Sequence, residues 1–194
     1  MFFPVDEPIR RQAKSPHELA MVNLLLFNLL MLIALLGGSF VEQDSSLAPF
    51  KFVGVAVPLG VSLAIIAYTF LRAARATREG PWFVAAHWRL AGARYRILLI
   101  AYVAVAALIG LGWLLAHTQQ QPGMQEMMFI ALQRVAIAPM LITLMVIIML
   151  ESGSLYQAQR GEVPDGLVKR LPPPPDLTGS ETELLPGDPQ SSSG

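Results

Sequence analysis

Four long apolar segments, separated by polar loops, are the feature that most constrains the fold of this chain. They run roughly over Leu19–Phe40, Phe52–Leu71, Ile97–His117 and Met127–Leu150. Each is close to the ~20 residues that an α-helix needs to cross ~30 Å of hydrocarbon. The sequence therefore predicts an all-α integral membrane protein with four transmembrane helices.

The composition agrees with a membrane protein. Of the 194 residues, 54% are hydrophobic and 14% are charged, whereas a soluble domain carries about 25% charged residues. The basic and acidic residues balance at 14 each, which argues against nucleic acid as a partner. The chain has no cysteine, so disulfides, thiolate metal sites and palmitoylation are excluded.

The distribution of positive charge predicts the orientation in the membrane. All but two of the 14 basic residues lie before the first span, between the second and third spans, or after the fourth. The exceptions are Lys51 and Arg134, and the short loops 41–51 and 118–126 carry acidic residues. By the positive-inside rule, both termini and the middle loop are cytoplasmic. Because the outer loops are short, we expect two antiparallel helical hairpins.

The remaining segments divide the chain into a cytoplasmic leader (1–17), a transmembrane domain (18–150) and a tail (151–194). The first apolar run is longer than the ~7–15 residues of a signal-peptide core, so we expect it to remain as a span. The tail contains the Pro172–Pro175 run and few apolar residues, which predicts a disordered cytoplasmic segment. The chain as a whole is rich in Ala, Arg and Pro, a composition typical of bacterial proteins. We therefore expect a multi-pass protein of a bacterial cytoplasmic (inner) membrane.

The middle loop, residues 72–96, is predicted to contain a short interfacial helix. Gly80 and Pro81 interrupt the chain, and the following segment leads into the third span. Indole rings and guanidinium groups both favour the lipid headgroup region, so membrane lipids are expected partners; the alternative is a loop that only sets the topology. The residues assigned to this interface are Trp82, Trp88, Arg89, Arg94 and Arg96.

Arg134 is the leading candidate for a functional residue within the membrane. It lies near the middle of the fourth span, ~6 Å from the midplane at 1.5 Å per residue. A charge at this depth costs at least ~2.5 kcal/mol on insertion scales, so we expect it to face the bundle interior, a cavity or a partner. The alternative is that Arg134 snorkels outward or serves as structural glue. Gln133 precedes it, and Pro139 is expected to kink the helix just beyond it.

Polar groups on the first span are the expected intramolecular partners of Arg134. Asn28 should lie near the midplane, and Asn23 lies nearer the cytoplasm. No acidic residue is expected well inside a span, so the chain should bury no carboxylate. Either Asn28 and backbone carbonyls satisfy Arg134, or the counter-charge comes from lipid, ligand or another subunit. The acidic residues at span ends are Glu18, Glu126 and Glu151.

Small residues repeat every four positions in two spans, which lets another helix approach closely. Pro58, beside the first of these rows, is expected to bend the second span. The pattern does not distinguish packing within one chain from packing between chains. The residues are Ala56, Gly60 and Ala64 in span two, and Ala106 and Gly110 in span three.

The sequence contains no catalytic or phosphate-binding motif, so we expect neither an enzyme nor a bound cofactor. His17 and His87 both lie near the predicted cytoplasmic face, while His117 ends the third span on the other face. A two-histidine site without further ligands is a weak metal signal, and no metal is expected.

Three hypotheses about function remain open. The first is a non-catalytic subunit, scaffold or assembly factor of a bacterial membrane complex, working with other subunits or as a homo-oligomer. The second is a small oligomeric transporter or channel that uses Arg134 and Asn28. The third, which the sequence favours least, is a haem- or quinone-associated membrane anchor.

Overall fold

A computed structural model describes residues 1–38 and 50–181 of the chain. Within these ranges it contains helices and isolated β-bridges, with no β-strand. The helical elements are α1 (Glu7–Val22), a π-helical segment (Asn23–Asn28), α2 (Leu29–Gly38), α3 (Phe50–Glu79), α4 (Trp82–Ala116), α5 (Pro122–Arg160) and α6 (Asp165–Arg170). Gly80 and Pro81 separate α3 from α4, and the segment 117–121 separates α4 from α5.

The prediction of an all-helical, multi-pass membrane protein is confirmed at this level. Four helical stretches are long and apolar enough to cross a membrane: Glu7–Gly37, Phe52–Glu79, Trp82–Ala116 and Pro122–Arg160. All exceed the ~20 residues that the hydrocarbon core requires. The apolar spans are thus extended by helical turns that carry polar and charged side chains. The hairpin arrangement and the orientation remain predictions.

The segment predicted as a separate interfacial helix forms the first turns of α4. This helix runs without interruption from Trp82 to Ala116. Gly80 and Pro81 do separate it from α3, as the sequence predicted. No proline occurs after Trp82 in this stretch, so nothing removes a backbone donor where the polar turns meet the apolar span.

The chain divides into two compact units. The terminal unit comprises Met1–Val22, Ile65–Arg94 and Met149–Gly194, of which residues up to 181 are described. The central unit comprises Asn23–Ala64 and Tyr95–Ile148.

An apolar core holds the terminal unit together. Phe83, Trp88 and Val163 are each less than 5% exposed within it. The Phe3 ring packs against Trp82 with 4.8 Å between ring centroids. Burying a large apolar side chain stabilises a fold by ~1.5–3 kcal/mol, so these contacts tie the first residues of the chain to the start of α4.

The structure differs from the prediction of disorder over residues 151–181. α5 continues to Arg160, and Phe2 exchanges two backbone hydrogen bonds of 2.8 Å with Ser180. The Trp82 indole donates to the carbonyl of Leu171 at 3.1 Å. The physical reason is that the few apolar residues of this segment are spaced to reach the core, although its average composition is polar. Residues 182–194 of the predicted tail lie outside the described residues. The core-facing residues are Val163, Leu167, Val168, Leu171 and Leu177.

Gly161 is required where α5 ends. Its φ is +75°, and a Cβ at this position would lie 2.8 Å from the carbonyl oxygen of Phe3. Gly161→Ala is therefore expected to lower the free energy of unfolding by about 1–2 kcal/mol, from left-handed strain and the backbone clash together. Thermal unfolding of both proteins in the same detergent measures this. Gly166→Ala is the control, because a Cβ there meets nothing within 4 Å; equal melting of the two variants would contradict the assignment.

Both prolines predicted to kink spans lie inside continuous helices of the central unit. Pro58 is buried within α3, and Pro139 is exposed within α5. The Thr143 hydroxyl donates to the carbonyl of Pro139 at 2.8 Å, one turn later. The kinks themselves remain predictions.

Candidate functional site

Arg134 lies on an exposed face of α5 within the central unit. Its neighbours Val135 and Met127 are 70% and 74% exposed. Gln133 is half-buried, and its amide donates to the carbonyl of Leu35 at 3.4 Å. Arg134 is therefore not enclosed in the core of the central unit, and its expected place at a cavity or a partner stays a prediction.

Asn28 is instead the centre of a buried polar ring in the central unit. Its amide nitrogen donates to Ser62 Oγ at 3.0 Å, and the Ser62 and Tyr102 hydroxyls are 2.8 Å apart. The Tyr102 hydroxyl closes the ring by donating to Asn28 Oδ1. Each of the three side chains gives one hydrogen bond and receives one, so the ring is satisfied without a ligand.

The π-helical segment begins and ends at the two asparagines of this site. The Asn28 amide also donates to the backbone carbonyl of Asn23 at 3.0 Å, and the Asn23 amide donates to the Tyr95 hydroxyl at 3.1 Å. Both asparagines are fully buried. Widened π turns frequently occur at functional sites, and here the turn brings the two amides together.

The sequence identified part of this site and missed the rest. Asn23 and Asn28 were expected partners of Arg134, but in the structure their partners are hydroxyl groups on α3 and α4. The detectable signal was the seven-residue spacing of Tyr95 and Tyr102, which places both on one face of a helix. Ser62 is a single small residue with no such pattern.

A second buried cluster occupies the terminal unit, and it is ionic. His17 Nδ1 lies 2.5 Å from Glu151 Oε2, and His17 Nε2 lies 2.9 Å from His87 Nδ1. Arg94 contacts Glu151 Oε2 at 3.3 Å and donates to Ser154 Oγ at 2.7 Å. His17, His87 and Glu151 are each no more than 1% exposed. We call these four titratable or charged residues the ionic cluster.

Three long helices position the ionic cluster. His17 follows Pro16 on α1, Glu151 and Ser154 lie one turn apart on α5, and both remaining members lie on α4. The spacing of seven residues between His87 and Arg94 places them on one face of α4. These residues belong to the polar turns that extend the apolar spans. The continuous helices therefore carry the cluster residues into contact with each other.

Hydrogen-bond geometry restricts where protons can sit in the ionic cluster. A 2.9 Å contact between two imidazole nitrogens holds one proton, because one nitrogen donates and the other accepts. Nε2 of His87 is buried without a well-aligned partner among the described residues, although the carbonyl of Glu162 is near enough to interact. The ring of Phe83 packs against His87 at 4.8 Å.

The buried carboxylate corrects one prediction directly. The sequence placed Glu151 at the end of a span and predicted that the chain buries no carboxylate, yet Glu151 is 1% exposed. The prediction was wrong because α5 continues past the apolar segment and Arg94 supplies a positive charge beside the carboxylate. A buried charge is tolerated when it is paired in this way.

Some of the residues assigned to the lipid interface are buried in the structure, and others are exposed. Trp88 is 4% exposed, and the Arg94 side chain is 11% exposed, so both lie inside the terminal unit. Trp82 is half-buried against Phe3. Arg89 and Arg96 are exposed, as an interfacial role requires.

Both rows of small residues lie on exposed faces of the central unit. Within the described part of the chain, a Cβ built on Gly60 or Gly110 meets no atom within 4 Å. At these two glycines the rows therefore do not pack against another described part of the chain. The exposed residues are Ala56, Gly60, Ala64, Ala106 and Gly110.

The histidines are partly brought together. His17 and His87 are in contact, whereas His117 is exposed in the central unit and lies near the Trp113 carbonyl, 2.8 Å from its Nδ1. No group of three or more His, Asp or Glu side chains in the described ranges is arranged to hold a metal ion. The ionic cluster can instead bind, share or release protons.

No family model matches this chain, and neither a curated protein nor a solved structure matches it.

Proposed function

We propose that this chain is a non-catalytic, multi-pass subunit, scaffold or assembly factor of a bacterial cytoplasmic-membrane complex, with both termini in the cytoplasm. The observation that carries the proposal is the exposed position of Arg134 on the apolar part of α5. The residue that the sequence marked as costly to insert is thus accessible to a neighbouring molecule.

The energetic argument favours a protein partner at Arg134. A cation on a lipid-facing helix near the midplane costs at least ~2.5 kcal/mol on insertion scales. A polar or acidic side chain on a neighbouring subunit would offset this cost. The exposed apolar residues Val135 and Ile142 on the same helix would pack against the helix of that subunit.

The rows of small residues support the same proposal. Association of helices in membranes relies on close backbone approach at small residues. The row Ala56–Gly60–Ala64 offers such a surface on α3, and it is exposed along its whole length. We infer that these rows serve contacts between chains.

Anionic lipids are proposed as further partners on the cytoplasmic side. Arg89 of the terminal unit and Arg96 of the central unit are each exposed on α4. Each basic residue near an anionic membrane surface contributes ~1 kcal/mol of attraction.

Arg134→Leu tests the proposal. The native protein is purified in mild detergent, and stoichiometric partner subunits are quantified by mass spectrometry. We expect the variant to insert normally and to lose at least tenfold of its co-purifying partner, because the charged contact is removed. Arg96→Leu is the matched control, since it removes an exposed arginine from the same unit. Partner recovery that is the same for both variants would contradict the proposal.

A small oligomeric transporter or channel is the second candidate, and the π-helical segment favours it, because widened π turns frequently occur at functional sites. In this case the purified protein would be a homo-oligomer without foreign subunits. Reconstituted in liposomes, it would release an entrapped anionic dye, and Arg134→Leu would reduce the release while leaving the oligomer intact. A foreign subunit in stoichiometric amount would exclude this alternative.

A further inference from the structure

The ionic cluster carries an inference that is independent of the proposed partner. Four titratable or charged groups from three helices are buried together, and the contacts among them fix how many protons they can hold. We propose that the ionic cluster is a proton-binding site that releases α1 from α4 and α5 when it takes up one more proton.

The contact between His17 and His87 limits the charge of the pair. With Nε2 and Nδ1 only 2.9 Å apart, the two imidazoles hold at most one positive charge while the hydrogen bond persists. If both rings are cationic, His17 Nε2 and His87 Nδ1 each carry a hydrogen. The two N–H groups then face each other and repel. The two rings can both be cationic only if they separate.

The surrounding groups decide which proton form the closed cluster prefers. Glu151 from α5 faces His17, and Arg94 on α4 faces Glu151. A cationic His17 would thus be balanced by the carboxylate, with Nδ1–H donating to Glu151 and Nε2–H donating to His87. The remaining groups near His87 are the Arg94 charge, which opposes a further cation, and the Glu162 carbonyl.

Protonation of Glu151 leads to the same outcome. A neutral carboxyl group no longer balances Arg94, and a carboxyl proton at the 2.5 Å contact would face the Nδ1–H of a cationic His17. Starting from a cationic His17, each further proton therefore weakens a bond between α1 and one of the other two helices. In the open state, water solvates each of these groups separately, so the limit on the number of bound protons no longer applies.

The pH dependence has a defined sign and limit. The open state binds more protons than the closed state, so acidification favours opening. For one proton, the ratio of open to closed molecules rises by up to tenfold for each pH unit. A histidine that is separated from its partner and solvated changes charge between about pH 5 and 8, so we expect the population of the open form to rise as pH falls through this range.

The absence of cysteine allows a direct measurement on the full chain. Nitroxide labels are attached to Gln12→Cys on α1 and Ser152→Cys on α5, two exposed positions of the terminal unit. Pulsed electron paramagnetic resonance in nanodiscs measures the distance between the labels at pH 7.5 and pH 5.0. We expect a second, longer distance at pH 5.0 that disappears on return to pH 7.5.

Histidine variants distinguish this site from general acid unfolding. His87→Gln retains hydrogen-bonding capacity without a titrating ring, and it should abolish the longer distance at pH 5.0. His117→Gln, at the exposed histidine of the central unit, should leave the response unchanged. A wild-type distance that does not change with pH would overturn the proposal, even if His87→Gln fails to fold. A response lost with His117 and retained without His87 would also overturn it.

Discussion

Glu151→Ala is expected to destabilise the protein by about 3–5 kcal/mol, which is the usual effect of breaking a buried ion pair. The substitution leaves the guanidinium of Arg94 buried without its carboxylate, and it removes the acceptor for His17. In thermal unfolding, this corresponds to a decrease in Tm of roughly 10 °C for a chain of this size. Size-exclusion recovery after heating, in one detergent and at pH 7.5, provides the measurement.

Two further variants separate the effect of the ion pair from that of lost side-chain volume. Glu18→Ala removes an exposed carboxylate next to His17 on α1, and it should change Tm very little. The double variant Arg94→Leu with Glu151→Leu should recover part of the loss, because neither charge is then left alone. A Glu151→Ala protein as stable as the Glu18→Ala protein would show that the carboxylate is not buried with Arg94.

Asn28→Leu is expected to produce the second large loss, about 3 kcal/mol. Leucine has a similar volume but breaks the polar ring, so the Ser62 and Tyr102 hydroxyls and the Asn23 carbonyl each lose one hydrogen bond, and only the contact between the two hydroxyls is kept. Each buried polar group left without a partner costs ~1–3 kcal/mol, and contacts within membranes fall at the low end. The same thermal assay measures the change.

The controls for Asn28→Leu use the hydroxyl groups of the central unit. Tyr102→Phe removes one member of the ring and should cost less than Asn28→Leu. Thr143→Val removes a local bond to the Pro139 carbonyl on the same helix, which contributes little. If Thr143→Val were as damaging as Asn28→Leu, the ring would have no special part in stability.

Residues from distant parts of the chain explain why the sites were only partly predictable. Asn28 was recognisable because a polar amide inside an apolar segment is unusual. His17 lies 134 residues from Glu151 and 70 residues from His87 along the chain. Nothing local to these positions indicates that they meet, and no spacing pattern links three separate helices.

Arg134 and Arg94 show that the sequence did not determine which way a side chain on a long helix points. The sequence predicted Arg134 to face the bundle interior, a cavity or a partner, and Arg94 to lie among lipid headgroups. In the structure Arg134 is exposed, and Arg94 is inside the terminal unit beside Glu151. Depth along a helix follows from counting residues, but the direction of a side chain depends on the rotation of the helix about its axis. An apolar span carries little information about that rotation, because most of its faces are equally apolar.

The sequence by itself determined that this is a helical, multi-pass membrane protein, because the length and apolarity of a span are local properties of the chain. It also determined which polar residues are unusual within the spans. Only the tertiary structure decided which of these residues meet, that α5 extends to carry Glu151 into a buried cluster, and that residues 151–181 pack on a core. These outcomes depend on contacts between segments that are distant in sequence. The free energy of such a contact depends on both segments, so it cannot be read from either one alone.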